Sequence, residues 1–291
     1  MDFDSVALDA SSMAGPLEAR LHAAVSRGFR RMVFAASDLV GHPQGVEAAV
    51  ALVRGAGVRV QALRQLSDFE GLEGPLHEYK VTVAKGLLGL CRAIGAPMLL
   101  VSASGVPEAA ADPVRVARDL AKLATLAVPK GVDIAYQGRP GSAVACDVVS
   151  AEERVNAAER ANLGLAIDTG HLFVADRGLD ALDRCYGDRL FLVGLSDAIA
   201  LHPQEQTRGE RDFVRVFPGD GSHAESLLEL IRRLRVIGFH GGFYLNACND
   251  DFAQLPPELV AEQARESLLW LIDQLRHIDL PRRRISAAVR A

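Results

Sequence analysis

One local pattern recurs about eight times along the chain, and that repetition constrains the fold more than any single motif. Short apolar runs of β-type composition occupy residues 6–9, 31–36, 58–63, 98–102, 132–137, 163–168, 190–195 and 242–245. The stretches between them space apolar residues three and four apart, as in Leu17, Leu21, Ala24 and Val25, or Val114, Ala117, Leu120, Ala121 and Ala124. That is the spacing of a helix with one buried face. Gly28, Gly57, Gly95, Gly131 and Gly238 each stand between such a helix and the next strand, where a helix often ends on a residue of positive φ that lacks a Cβ clash only when it is glycine. Strands alternating with helices build right-handed βαβ units and a parallel sheet. About eight of them favour closure over an open doubly wound sheet, so the expected fold class is α/β, a single (β/α)8 TIM barrel. The barrel is expected over residues 1–276. Residues 277–291, with Arg282, Arg283, Arg284 and Arg290, are expected to be a basic C-terminal tail.

Charge and cysteine usage narrow the partners. The net charge of −5 supplies no basic field, so no nucleic-acid partner is expected. No apolar run approaches the roughly 18 residues of a membrane span, and the acidic opening MDFDSVALD is unlike a signal peptide. A cytoplasmic protein acting on a small-molecule substrate is the expectation, with the oligomeric state left open. Cys91, Cys146, Cys185 and Cys248 are far apart with no CxxC pair, so neither a zinc site nor a disulfide framework is signalled. The glycine-rich PGDGS at residues 218–222 is neither a Walker loop nor a dinucleotide fingerprint. It is expected to be a turn that starts a helix, capped by Asp220 or Ser222, and no cofactor is assigned. Residues 199–214 are long, polar and aperiodic, as a lid or substrate-contacting loop would be.

Several strands turn polar at their C-terminal ends, where parallel β/α proteins place their chemistry. LGLAIDTGH at 163–171, LFLVGLSDA at 190–198 and GFYLNACND at 242–250 all do so. His171 follows Asp168 by three residues, and imidazole titrates near neutral pH as an acid–base catalyst must. Asp168 would orient that ring and favour its charged form. Asp197 is a second carboxylate at a strand end. Tyr136 is expected on the opposite strand face, in the core, and His202 and His223 at the surface or at a helix cap.

The order RQLSDFEG, YQG, IDTGH, VGLSDA, VRVFPGDG and LNACNDDF resembles the xylose-isomerase-like superfamily of sugar phosphate isomerases and epimerases. Within it the chain looks like the 3-dehydroshikimate dehydratases, whose strand ends read FRDFEG, YEA, LDSFH, VQLADA, FPGQGD and LEIFND. The resemblance covers residues 5–272. It implies a divalent cation held at positions that here are Gln137, Asp168, Gly194 and Asn246, so only one carboxylate is kept. Hard cations need oxygen ligands and several negative charges for tight binding, and no metal ligand is assigned. The resemblance also implies a substrate-side basic residue where this chain has Ser67, with Arg64 and Gln65 as neighbouring substitutes. It matches Arg215 to an Arg that precedes FPG, suited to holding a carboxylate or phosphate bidentately, and His171 to the family's His in LDSFH.

The expected function is therefore a metal-independent lyase, isomerase or cyclase on a small polyhydroxylated or cyclic carbonyl compound. His171 and Asp168 would supply the acid–base chemistry, with Gln137, Asn246, Arg215, Arg64 and Gln65 binding the substrate. Two alternatives stay open: a non-catalytic binding protein on a retired dehydratase scaffold, and a divalent-metal-dependent lyase with a rearranged ligand set.

Overall fold

A computed structural model of the chain describes residues 1–174, 179–200 and 213–279. The elements in chain order begin with β1 (Val6–Asp9), α1 (Leu17–Ser26), β2 (Arg31–Ala35), α2 (Ala36–Val40), α3 (Val46–Gly55), β3 (Arg59–Ser67), α4 (Gly74–Ile94), β4 (Met98–Ser102), α5 (Pro113–Ala127), β5 (Asp133–Gln137) and α6 (Val148–Ala157). They continue with β6 (Leu163–Asp168), α7 (Thr169–Val174), β7 (Leu190–Leu195), β8 (Asp197–Ala200), β9 (Phe213–Val216), α8 (Ala224–Val236), β10 (Gly242–Leu245) and α9 (Pro257–Asp279). Eight of the strands close a parallel barrel in the order β1-β10-β7-β6-β5-β4-β3-β2. The α/β barrel read from the sequence is thus the observed fold. No helix among the described residues is long and apolar enough to cross a membrane.

Each barrel strand is buried on both faces, which is why the strands read as apolar runs. Leu8, Phe34, Leu63, Val101, Tyr136, Ile167, Val193 and Leu245 pack outward against the helices. Ala7, Val33, Ala62, Leu100, Ala135, Ala166, Leu192 and Tyr244 form one layer inside the barrel, one from each strand. Four of these eight are alanines, so the large phenol of Tyr244 has room at the barrel axis. The helix-stop glycines Gly28, Gly57, Gly95, Gly131 and Gly238 all have positive φ, from 64° to 93°.

Three expectations change. The third strand runs on to Ser67 instead of ending at residue 63, because the polar Arg64 and Gln65 interrupt the apolar run while the strand continues through the buried Leu66. The two ends of the stretch expected to be a loop at 199–214 belong to an antiparallel ribbon, Asp197 pairing with Val216 and Ala200 with Phe213. Its middle, His202 and the tail beyond residue 279 lie outside the described residues. Finally, neither Asp220 nor Ser222 caps α8. The N-cap is His223, which makes no side-chain cap bond, and the turn is held by Asp197, whose carboxylate accepts from the N–H of Gly221 and of His223.

Candidate active site

The site is the polar layer directly above the interior apolar layer. Side chains alternate along a strand, so a residue two positions beyond an inward-facing one also faces inward. Two beyond Ala7, Ala62, Leu100, Ala135, Ala166, Leu192 and Tyr244 stand Asp9, Arg64, Ser102, Gln137, Asp168, Gly194 and Asn246. Above them opens a cavity of about 500 Å³. All seven residues expected to form the site line it: Arg64, Gln65, Gln137, Asp168, His171, Arg215 and Asn246.

Asp168 is the hub. Its Oδ1 accepts from the backbone N–H of Gly170 at 2.9 Å and of His171 at 3.3 Å, where β6 turns into α7. The same oxygen takes a hydrogen bond from Arg215 Nη1 at 2.6 Å. Arg215 arrives from β9, and its Nη1 also donates to Ser196 Oγ at 2.9 Å. Ser196 is tied back to β6, since the Thr169 hydroxyl donates to its carbonyl at 2.6 Å and accepts its N–H at 2.8 Å. Asn249 donates to the Arg215 carbonyl at 2.7 Å, fixing the backbone of the ribbon. Burial alone would raise the Asp168 carboxyl, but the charges of Arg215 and His171 and the hydrogen bonds outweigh it and hold it down at about 2. The Arg215 guanidinium, which burial alone would weaken, is raised by Asp168. A second pair lies across the mouth, where Nη1 of the partly buried Arg64 bonds the fully buried Asp9 carboxylate. Asp9 has no exposure at all and raises the Arg64 pKa further.

His171 sits on the first turn of α7, partly exposed. Its Nδ1 lies 3.0 Å from Gln137 Nε2. Among the described residues the contact to the ring comes from Gln137 on β5, while Asp168 accepts from the residue's backbone N–H and is coupled to the imidazole by charge. Asn246 is buried, and its Oδ1 accepts from Cys248 N–H at 3.3 Å. Gln65 bonds Ser67 at 3.0 Å. Lys80 of α4 reaches the Ser67 carbonyl at 2.8 Å, placing a cation beside the position where the resemblance implies a basic residue.

The donor set at the barrel mouth does not fit a divalent cation. Asp168 already faces a guanidinium, and Gln137 and Asn246 bring no charge. Gly194 brings no side chain, and a Cβ there would meet the Tyr244 ring carbon Cζ and hydroxyl oxygen at 2.6 Å. A Cβ at Gly170 would likewise lie 2.7 Å from Arg215 Cζ. The phenol and the guanidinium thus fill the space of absent side chains. Among the described residues no group of three or more His, Cys, Asp or Glu is placed to hold a metal ion.

Other residues have parts that the strand-end motifs do not announce. Asp9 was legible as a carboxylate closing the first apolar run, two residues beyond Ala7, though nothing local links it to Arg64, 55 residues away. Tyr244 covers Gly194 only because the register sets them side by side on β10 and β7. Arg139 reaches the mouth from the loop after β5. Asp197 is fully buried and spent on structure, accepting from Ala198, Gly221 and His223. Tyr136 points into the core and donates to the buried Glu70 carboxylate at 2.9 Å.

Residues 21–274 match the xylose isomerase-like TIM barrel family. A 3-dehydroshikimate dehydratase of Pseudomonas aeruginosa is 26% identical over 265 residues, which are 91% of this chain and 41% of that protein. An inosose isomerase of Bacillus subtilis is 24% identical over 225 residues, covering 75% of this chain and 77% of the isomerase. Among solved structures, a xylose isomerase-like TIM barrel/4-hydroxyphenylpyruvate dioxygenase fusion protein superposes with a TM-score of 0.85 at 23% identity. It covers 95% of this chain, which in turn covers 44% of the fusion. The chain therefore spans less than half the length of the dehydratase and of the fusion protein.

Proposed function

Because this chain belongs to the xylose isomerase-like TIM barrel family, we propose that it is a metal-independent lyase, isomerase or cyclase. It would move a proton beside the carbonyl of a small polyhydroxylated or cyclic compound, with His171 as acid and base. The observation that carries this reading is the 3.0 Å contact between Gln137 and His171 Nδ1 at the edge of the cavity. A proton-transfer group must be held in place before its pKa matters. The Gln137 amide suits both states of the ring, since its NH2 donates to a bare Nδ1 and, turned over, its carbonyl accepts from Nδ1–H. The ionised Asp168 favours the protonated ring through the same attraction by which His171 lowers the Asp168 pKa.

A positioned histidine contributes about 100- to 10,000-fold to such a step. Arg215 and Asn246 would hold the substrate above Tyr244, and Arg64 and Gln65 would close the other side of the mouth. The named relatives, a dehydratase and an isomerase, are enzymes of this general kind, which supports a lyase or isomerase over other reaction classes.

The test is a screen of hydroxy acids, oxo acids and cyclic polyol ketones in D2O with a chelator present, read by proton NMR. Exchange of a proton beside the carbonyl is expected with the wild type and is expected to vanish in His171→Gln. A compound that exchanges equally well in both proteins would remove His171 from the mechanism.

A further inference from the structure

The described lining of the mouth carries three guanidinium groups, Arg64, Arg139 and Arg215, against one carboxylate, Asp168. This stands out in a chain whose net charge is −5. Each inner arginine commits Nη1 to a buried carboxylate, Arg64 to Asp9 and Arg215 to Asp168. Among the described residues no protein hydrogen bond uses Nε or Nη2 of either one. Two guanidinium groups thus stand at the same cavity with donor edges to spare, each held by an acid and Arg215 also by packing. Arg215 lies against Gly170, in space a Cβ would occupy, and the two arginines are close enough for the charge of Arg64 to act on Arg215. A guanidinium edge presents two parallel N–H groups that match the oxygens of a planar carboxylate, and a low-dielectric mouth strengthens the match. A divalent cation would be repelled by the same pair.

We propose that the mouth takes an anionic substrate, a small hydroxy or oxo acid, whose carboxylate lies between Arg64 and Arg215 in the place where relatives of this fold would hold a cation. The proposal rests on the acid–base reading above and adds the substrate class to it. The carboxylate is fixed by the arginine pair, and the carbon that loses or gains a proton is presented to His171.

The test uses oxalate as the probe, titrated calorimetrically into the full chain at pH 8 with EDTA present, and erythritol as a neutral control. One oxalate per chain is expected, and erythritol is expected to give no saturable heat. Arg64→Lys and Arg215→Lys keep a charge opposite Asp9 and Asp168 but lose the fork, so each is expected to weaken oxalate by about tenfold or more. Circular dichroism checks that both fold, and Arg64→Lys alone suffices if Arg215→Lys does not. His171→Gln leaves both arginine–carboxylate pairs in place, so it should bind oxalate within about threefold of wild type. The proposal is overturned if oxalate does not bind, if neither lysine variant weakens it, or if binding appears only with added Mn2+. Loss of exchange in His171→Gln without arginine-dependent oxalate binding sinks this inference and leaves the acid–base reading standing. Arginine-dependent binding with exchange intact in His171→Gln does the reverse.

Discussion

Arg215 Nη1 lies 2.6 Å from Asp168 Oδ1, and the guanidinium packs on Gly170 at a distance that leaves no room for a Cβ. The one carboxylate kept from the ligand set implied by the family resemblance is therefore neutralised by the protein's own cation. That cation comes from β9, outside the barrel, and its position depends on the tie between Thr169 and Ser196. Two links follow. Arg215 helps to hold Asp168 ionised, and the arginines of the mouth face the cavity with hydrogen-bond donors.

Asp168→Asn should destabilise the protein by about 3–5 kcal/mol, because a buried guanidinium loses its counter-charge. Urea denaturation at pH 7 measures this. The pH dependence has a definite sign. The folded carboxyl titrates at about 2 and the unfolded one near 3.9, so wild-type stability is full above that range and falls by about 2–3 kcal/mol as the pH drops toward 2. Asp168→Asn should lack that part of the acid limb.

Gly194→Ala should cost about 1–3 kcal/mol, since its Cβ would collide with the Tyr244 ring. Tyr244→Leu removes the colliding phenol, so the double variant should be less destabilised than the sum of the singles. A double-mutant cycle by urea denaturation reads the coupling. Additive effects would show that Tyr244 does not occupy the Gly194 space.

Glu70 is fully buried, with Oε1 taking hydrogen bonds from Ser104 N–H and Tyr136 and Oε2 without a partner among the described residues. Burial pushes its pKa up, against the pull of those hydrogen bonds. The unfolded chain thus releases this proton first, and wild-type stability falls as the pH rises from the ordinary carboxylate range toward the raised folded value. Glu70→Gln should flatten that decline. Denaturation midpoints of both proteins across about pH 4 to 8 check it.

Dehydration of 3-dehydroshikimate, the compound in the name of the Pseudomonas relative, should be slower here than in that relative by about a hundredfold or more. Electrostatic stabilisation of a developing oxyanion is commonly the largest catalytic contribution, and the donor set here is rebuilt. Parallel assays with and without chelator give the comparison, and equal rates would show that the rebuilt mouth still serves that reaction.

The barrel was legible because its strands are buried on both faces and its helices on one, which leaves two clear periodicities in the chain. The site was legible only as far as its polar residues end apolar runs, as Asp168 and Asn246 do. Reading strands by apolarity stops at the layer where the site begins. For that reason β3 seemed to end at residue 63, although Arg64 and Gln65 continue it. Pairings across the barrel leave no local trace. Arg64 with Asp9, Arg215 with Asp168 and Tyr244 over Gly194 are set by closure, register and the course of the ribbon. Asp197 looked like Asp168 in sequence, a carboxylate at a strand end, but the backbone groups of the turn before α8 claim it.

The most direct measurement of the central claim is the divalent metal content of the purified chain, by elemental analysis after dialysis against trace manganese and magnesium. With Asp168 held by Arg215, Gly194 bare and Gln137 and Asn246 uncharged, the content should be far below one ion per chain and unchanged in Asp168→Ala. One manganese or magnesium per chain, lost in Asp168→Ala, would contradict the account and restore a metal-dependent lyase.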